Sequence, residues 1–191
     1  MGRKLWYNGG GMRPSFPDSL APAFPKRPTD LHKYTAGTVA VVGGSARYPH
    51  APVIAALGAR AAGAGLVQLA VPDASRFAAG ALVPEATFLE QAPAGASPRA
   101  DVVAVGMGLG NSPDSETLVS GILSGTPGRF VLDADALGFL ARWHAAGALP
   151  TAEGQALVLT PHVGQYRCGS CSSKRSSGNY SFPSHRRDRS A

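Results

Sequence analysis

Four short segments of the chain place glycine, hydroxyl, carboxylate or imidazole groups directly after apolar runs. They are GGS at 43–45, GMGLG at 106–110, DADAL at 133–137 and TPHVGQ at 160–165. Glycines after a strand can present main-chain N–H groups to an anion, and a serine hydroxyl or a histidine can add a hydrogen bond to a phosphate. Paired aspartates can orient a ligand hydroxyl or hold Mg²⁺ through water. These residue types predict a binding site for an anionic ligand.

Each segment also has a purely structural interpretation. GGS fits a tight strand-to-helix turn, and GMGLG departs from the G-x-G-x-x-G spacing of a dinucleotide fingerprint. Asp133 or Asp135 can cap the helix that follows, and His162 can bond to a neighbouring loop. Local sequence leaves these alternatives open, so the prediction of a site depends on whether the segments converge.

The elements that must position these segments alternate along the chain. Apolar, β-branched runs predict strands at 38–43, 66–71, 86–90, 100–106, 129–134 and 155–160. Helical patterns follow at 50–65, 73–82, 112–125 and 136–147. Continuously apolar strands separated by helices predict an α/β fold of three layers, with a mostly parallel sheet and helices on both faces. Ligands of such sheets bind at the carboxyl ends of the strands, where all four segments would lie.

Composition divides the chain into three parts. Residues 1–30 are rich in proline and glycine and predict an extended lead-in, residues 31–166 predict one domain, and residues 167–191 form a polar, basic tail without apolar periodicity. The tail contains CGSC at 168–171, which has the spacing of a metal or redox site but lacks the additional ligands or the following helix that such sites need. We expect the tail to be disordered.

The distribution of charge limits the classes of partner. The net charge is +6, yet residues 1–164 carry 12 Lys and Arg against 11 Asp and Glu, whereas residues 165–191 carry 6 against 1. The basic character therefore belongs to the tail, and we expect no nucleic-acid partner for the domain. Neither a membrane-spanning run nor a secretory signal is evident in the sequence, so we expect a cytoplasmic protein without a membrane partner.

A resemblance to a known family adds to this interpretation. Over about residues 30–166 the chain resembles the ribokinase-like NAD(P)H-hydrate dehydratases in HKYTAGTVAVVGGSARYPHAPVIAAL, ARAAGAGLVQLAVP, VPEATFLE, GMGLG, VLDADAL and LTPHVGQ. The resemblance implies a lyase that dehydrates the S form of hydrated NADH or NADPH at the expense of ADP or ATP, together with Mg²⁺. Carried over by position, Ala51, Gly108 and His162 would contact the hydrated dinucleotide, and the DADAL aspartates would support the same edge of the sheet. No residue is assigned as a metal ligand.

The chain also departs from the family pattern. Gln165 stands where a glutamate is usual, and the GTGD-type turn, whose aspartate is the expected catalytic base, does not occur in the sequence. The catalytic residue is therefore unassigned, and we expect the C-terminal portion of the fold to be missing. Such a sheet would have an uncovered edge, and we hypothesise that it forms homo-oligomers.

Two alternative functions remain open at the level of sequence. The first is a ribokinase-like kinase that phosphorylates a vitamin-precursor alcohol. The second is a nucleotide-binding remnant without catalytic activity, and retained affinity without turnover would distinguish it from the dehydratase.

Overall fold

The structure, a computed structural model, describes residues 29–89, 100–125, 128–151, 154–162 and 165. The chain divides into two compact units, Met1–His32 and Lys33–Ala191. Most of the predicted lead-in and all of the predicted tail, including Cys168 and Cys171, lie outside the described residues. The boundaries at 30 and 166 stay predictions.

The second unit contains a parallel sheet of six strands in the described residues. The strands are β1 (Thr38–Val42), β2 (Leu66–Ala70), β3 (Thr87–Phe88), β4 (Val102–Val105), β5 (Arg129–Leu132) and β6 (Ala156–Leu159). Their order across the sheet is β3-β2-β1-β4-β5-β6, and every neighbouring pair is parallel. All predicted strands are confirmed, and the sheet places β1 at its centre beside β4.

Four helices connect these strands. They are α1 (Ala51–Ala61), α2 (Asp73–Leu82), α3 (Pro113–Gly125) and α4 (Asp135–Ala146). Ser112 caps α3, because its hydroxyl accepts the N–H of Ser115 at 3.1 Å, which satisfies a donor in the first helical turn. Among the described helices, none is long and apolar enough to cross a membrane.

The helices bury both faces of the sheet. Alternate residues of β1 point to opposite sides, so Val42 joins the apolar cluster under α3 and α4 whereas Val41 joins the cluster under α1 and α2. Phe139 of α4 is fully buried in the first cluster, and Val53 of α1 is almost fully buried in the second. The prediction of a three-layer α/β fold is confirmed. Because the strands are parallel, the polar segments that follow them lie at one edge of the sheet.

Strand β6 lies at the end of the sheet within the described part of the chain. Its residues alternate between exposed and half-buried, and Val158 is 55% exposed. An apolar edge strand of this kind offers unpaired backbone groups beside an exposed apolar side chain.

Candidate functional site

The turns that follow β1, β4 and β5 are joined by main-chain hydrogen bonds at the carboxyl edge of the sheet. Gly44 N–H donates to the carbonyl of Met107 at 2.8 Å, and Gly106 N–H donates to the carbonyl of Val42 at 3.2 Å. Asp135 N–H donates to the carbonyl of Gly106 at 3.3 Å. Three of the four predicted segments are therefore in direct contact.

Of the two alternatives for GGS, an anion nest and a tight structural turn, the amides of Gly43 and Gly44 favour the turn. Gly43 N–H donates to the carbonyl of Ala70 at 3.3 Å, and Gly44 N–H is used by Met107. Strand β1 lies between β2 and β4, so the turn after β1 bonds to the chain on both sides. The hydroxyl of Ser45 accepts the N–H of Tyr48 at 3.3 Å.

Gly108 brings two of the predicted ligand contacts together. A Cβ atom at Gly108 would lie 2.8 Å from Cβ of Tyr48 and 2.9 Å from Cβ of Ala51, and its φ of +71° is rarely adopted by other residues. The loop after β4 thus packs its bare backbone against the start of α1. Ala51 and Gly108, predicted from the resemblance to contact the same ligand, are neighbours here.

Gly106 is required for the close approach of the next turn. Its φ is +120°, and a Cβ there would collide with the carbonyl oxygen of Asp133 and with Cβ of Ala136. The absence of a side chain lets the turn after β4 lie directly against the start of α4. This packing fixes the position of the GMGLG loop relative to DADAL.

The two aspartates of DADAL use one oxygen each for main-chain N–H groups. Asp133 Oδ1 accepts the N–H of Ala134, and Asp135 Oδ2 accepts the N–H of Gly110, both at 2.8 Å. Ala134 between them has a φ of 47° and a ψ of −116°, a conformation strained for a residue with a Cβ. The residue that precedes α4 is Ala134, which makes no side-chain cap bond, and Asp135 lies in the first helical turn, where a carboxylate favours the helix dipole.

Gln165 connects the turn after β6 with the turn after β5. Its side-chain Oε1 accepts the N–H of His162 at 3.1 Å, and its Nε2 donates to the carbonyl of Ala134 at 3.2 Å. The N–H of Gln165 donates to the carbonyl of His162 at 2.9 Å and approaches Nδ1 of the same ring at 3.4 Å. The fourth segment is thereby attached to the same edge, with His162 exposed.

The carboxyl edge of the sheet could bind a Mg²⁺ ion only together with the phosphates of a ligand. In the described ranges there is no group of three or more His, Cys, Asp or Glu side chains that could hold a metal. Asp133 and Asp135 each keep a second carboxylate oxygen, and Mg²⁺ is commonly held by one or two carboxylates, waters and phosphates. These two residues would hold the ion, which would neutralise phosphate charge.

Sequence reasoning missed Tyr48, Ala134 and the bridging role of Gln165. Tyr48 is 47% exposed and borders both Gly108 and the start of α1. An aromatic residue in the loop directly after GGS was a usable signal. The strain at Ala134 carries no comparable signal in the sequence, because alanine is ordinary beside a helix start.

Comparisons with known proteins agree with this arrangement. The profile of a family described as NAD(P)H-hydrate dehydratase matches residues 39–177. The bifunctional NAD(P)H-hydrate repair enzyme Nnr of Gloeobacter violaceus is 34% identical over 165 residues, which cover 79% of this chain and 31% of that enzyme. The ADP-dependent (S)-NAD(P)H-hydrate dehydratase of Lactiplantibacillus plantarum is 31% identical over 157 residues, covering 79% of this chain and 55% of that enzyme.

The fold is also shared with solved structures. The crystal structure of ADP/ATP-dependent NAD(P)H-hydrate dehydratase from Bacillus subtilis, co-crystallised with ATP and Mg²⁺, superposes with a TM-score of 0.64 at 27% identity. The match covers 74% of this chain and 50% of that one. The chain thus spans about half the length of this solved relative.

Proposed function

This chain belongs to the NAD(P)H-hydrate dehydratase family, and we propose that it binds the S epimer of hydrated NADH or NADPH as the substrate of a dehydrating lyase. ADP or ATP is the co-substrate, with Mg²⁺ as its counter-ion. Dehydration removes a hydroxyl group and a proton from the hydrated nicotinamide ring and restores the reduced dinucleotide. The chain spans about half of the solved relative. That this chain carries out the reaction of the full-length relatives is therefore part of the proposal.

The observation that carries the proposal is the contact between the loop after β4 and the start of α1. Gly108 lies against Ala51 and Tyr48 with no side chain of its own. The missing side chain lets the loop after β4 approach the start of α1, so a ligand that touches Ala51 can also reach the main chain of Gly108. This arrangement supports Ala51 and Gly108 as ligand contacts.

His162 acts in the proposal as a hydrogen-bond donor to a ligand phosphate or hydroxyl. Its exposed ring stands at the end of β6, at the same edge as the DADAL turn, and Gln165 holds its main chain in place. Asp135 and Gln165 are positioning residues, because both bond to main-chain groups of neighbouring turns. No described residue is assigned as the catalytic base.

An assay on hydrated NADH tests the proposal. The purified chain is incubated with acid-hydrated NADH and Mg²⁺ together with ADP, ATP or no nucleotide, and the return of NADH is followed by absorbance. The lyase would be supported if NADH returned only from the S epimer of the hydrate and only when ADP or ATP was present. ATP-dependent phosphorylation of a thiazole or pyrimidine alcohol instead would favour the kinase. Binding of the hydrate without turnover would indicate a nucleotide-binding remnant.

A pair of glycine variants tests the site itself. Gly108→Ala and Gly110→Ala both place a side chain at a positive φ, +71° and +81° respectively, but the added Cβ meets no atom within 4 Å at Gly110. The two variants therefore carry similar backbone strain, but only in Gly108→Ala does the added methyl group collide with Ala51. We expect affinity for hydrated NADH to fall at least about tenfold in Gly108→Ala and to change much less in Gly110→Ala. Equal losses in the two variants would remove Gly108 from the site.

A further inference from the structure

Arg47 differs from the other basic residues of the described chain in both position and pairing. Those residues are Lys33, Arg47, Arg60, Arg76, Arg129 and Arg142. Arg60, Arg76 and Arg142 each form an ion pair, with Glu85, Asp73 and Glu116 respectively.

The two remaining cations lie away from the carboxyl edge. Arg129 is the first residue of β5, and the carbonyl of Lys33 lies against Gly65, just before β2 begins. Both therefore stand at the amino ends of strands. Arg47 follows GGS at the carboxyl edge, and no carboxylate of the described residues forms an ion pair with it.

The side chain of Arg47 is held by its neighbour. Its guanidinium lies over the ring of Tyr48, 5.4 Å from the ring centroid, and both residues are exposed. Tyr48 in turn packs against Gly108 through its Cβ and carbonyl. The cation–π contact keeps the guanidinium at the ring of Tyr48, and the exposure of Arg47 leaves its N–H donors accessible.

Positive charge must offset the carboxylates of this edge before an anionic ligand binds there, and Mg²⁺ held by the aspartates would supply part of it. Asp133 and Asp135 stand in the neighbouring turn, where each carboxylate accepts a main-chain N–H, from Ala134 and Gly110 respectively. A phosphate placed across the strand ends would be repelled by them. The guanidinium of Arg47, which forms no ion pair within the described residues, adds positive charge and two parallel donors that match phosphate oxygens.

We propose that Arg47, oriented on the ring of Tyr48, is the phosphate-binding residue of this edge and pairs with the diphosphate of a bound nucleotide. The inference deepens the proposed function and rests on it for the identity of the nucleotide, which is either the hydrated dinucleotide or ADP. The hydrated dinucleotide and ADP both contain a diphosphate group. Inorganic pyrophosphate presents that group without a nucleoside.

Pyrophosphate binding tests the inference independently of turnover. The wild-type chain and the variants Arg47→Gln and Arg60→Gln are titrated with inorganic pyrophosphate by calorimetry at fixed ionic strength. Both variants remove one positive charge, but Arg60 is paired with Glu85 at 2.7 Å near the far end of α1. We expect the affinity of Arg47→Gln to fall roughly tenfold and that of Arg60→Gln to stay within about twofold of wild type. Tyr48→Phe, which keeps the aromatic face, should bind pyrophosphate like wild type.

The same variants titrated with hydrated NADH and with ADP identify the source of the diphosphate. The ligand that loses affinity in Arg47→Gln and not in Arg60→Gln is the one that Arg47 contacts. Undetectable pyrophosphate binding by wild type, equal losses in the two arginine variants, or unchanged affinity for both nucleotides would each overturn the inference. Pyrophosphate binding that depends on Arg47, without dehydration of hydrated NADH, would leave the inference standing and refute only the proposed function.

Discussion

The carboxylate of Asp135 accepts the main-chain N–H of Gly110 at 2.8 Å, although the two residues follow different strands. Asp135 belongs to the first turn of α4, and Gly110 ends the loop after β4. The carboxylate therefore adds a fixed point to a glycine-rich loop whose two side chains, Met107 and Leu109, pack against the apolar clusters. The conformation of GMGLG depends on a residue 25 positions away in the chain.

Removal of this carboxylate should loosen the loop. We expect Asp135→Ala to lower the free energy of unfolding by about 1–2 kcal/mol, since a charge-assisted hydrogen bond is lost, and Asp135→Asn to cost less because an amide oxygen still accepts. Urea unfolding measures the stability, and hydrogen exchange at the Gly110 amide reports the local effect. Asp114→Ala, an exposed carboxylate of α3, is the control. Unchanged protection of Gly110 in Asp135→Ala would contradict the assignment.

Gln165 both accepts a hydrogen bond from His162 and donates one to Ala134, so replacing it by the isosteric glutamate should lower the stability of the protein. In Gln165→Glu the side chain can still accept from His162 N–H but can no longer donate to the carbonyl of Ala134, 3.2 Å away. Urea unfolding should show a loss of about 1–2 kcal/mol in stability, because the carbonyl of Ala134 loses a donor, whereas the His162 amide keeps its acceptor and should exchange as in wild type. Gln165→Ala, which removes both bonds, sets the upper limit. A glutamate variant as stable as wild type would show that the bond to Ala134 contributes nothing.

The strained backbone at Ala134 predicts a stabilising substitution. Glycine tolerates a φ of 47° and a ψ of −116° without the steric cost of a Cβ. We expect Ala134→Gly to raise the free energy of unfolding by about 1 kcal/mol, because the relief of strain exceeds the entropy that glycine adds to the unfolded chain. The matched control is Ala141→Gly inside α4, which should lower stability by about 1 kcal/mol. Losses in both variants would mean that Ala134 is not strained in solution.

The exposed edge strand predicts self-association. Val158 is 55% exposed on β6, so we expect the wild-type chain to associate with rising concentration and Val158→Lys to reduce that association. Sedimentation velocity over a concentration series measures the effect. Thr117→Lys adds the same charge on the exposed surface of α3 and serves as the control. Equal sedimentation of wild type and Val158→Lys would indicate that β6 is not the contact.

The pattern of apolar runs in the sequence predicted the strands and helices but not the hydrogen bonds between the turns that connect them. Strands and helices were predicted near their observed bounds because each depends on local periodicity, and the parallel arrangement follows from their alternation. The role of the Gly43 and Gly44 amides stayed open in the sequence because their partners, Ala70 and Met107, depend on the order of strands across the sheet. The partner of Asp135 escaped prediction for the same reason, since hydrogen bonds between distant turns leave no periodic signal.

The central position of β1 determines when the edge can assemble as the chain is synthesised. Strand β2 follows β1 closely, whereas Asp101, which accepts the N–H of Thr38 at 2.7 Å just ahead of β4, lies 63 residues further along. Until β4 arrives, one side of β1 has no hydrogen-bonding neighbour, and Gly44 lacks its partner Met107. Closing such a long loop costs entropy before any contact between the strands stabilises it. A nascent chain therefore exposes an apolar half-sheet, and hence a surface for chaperones, until its second half has been translated.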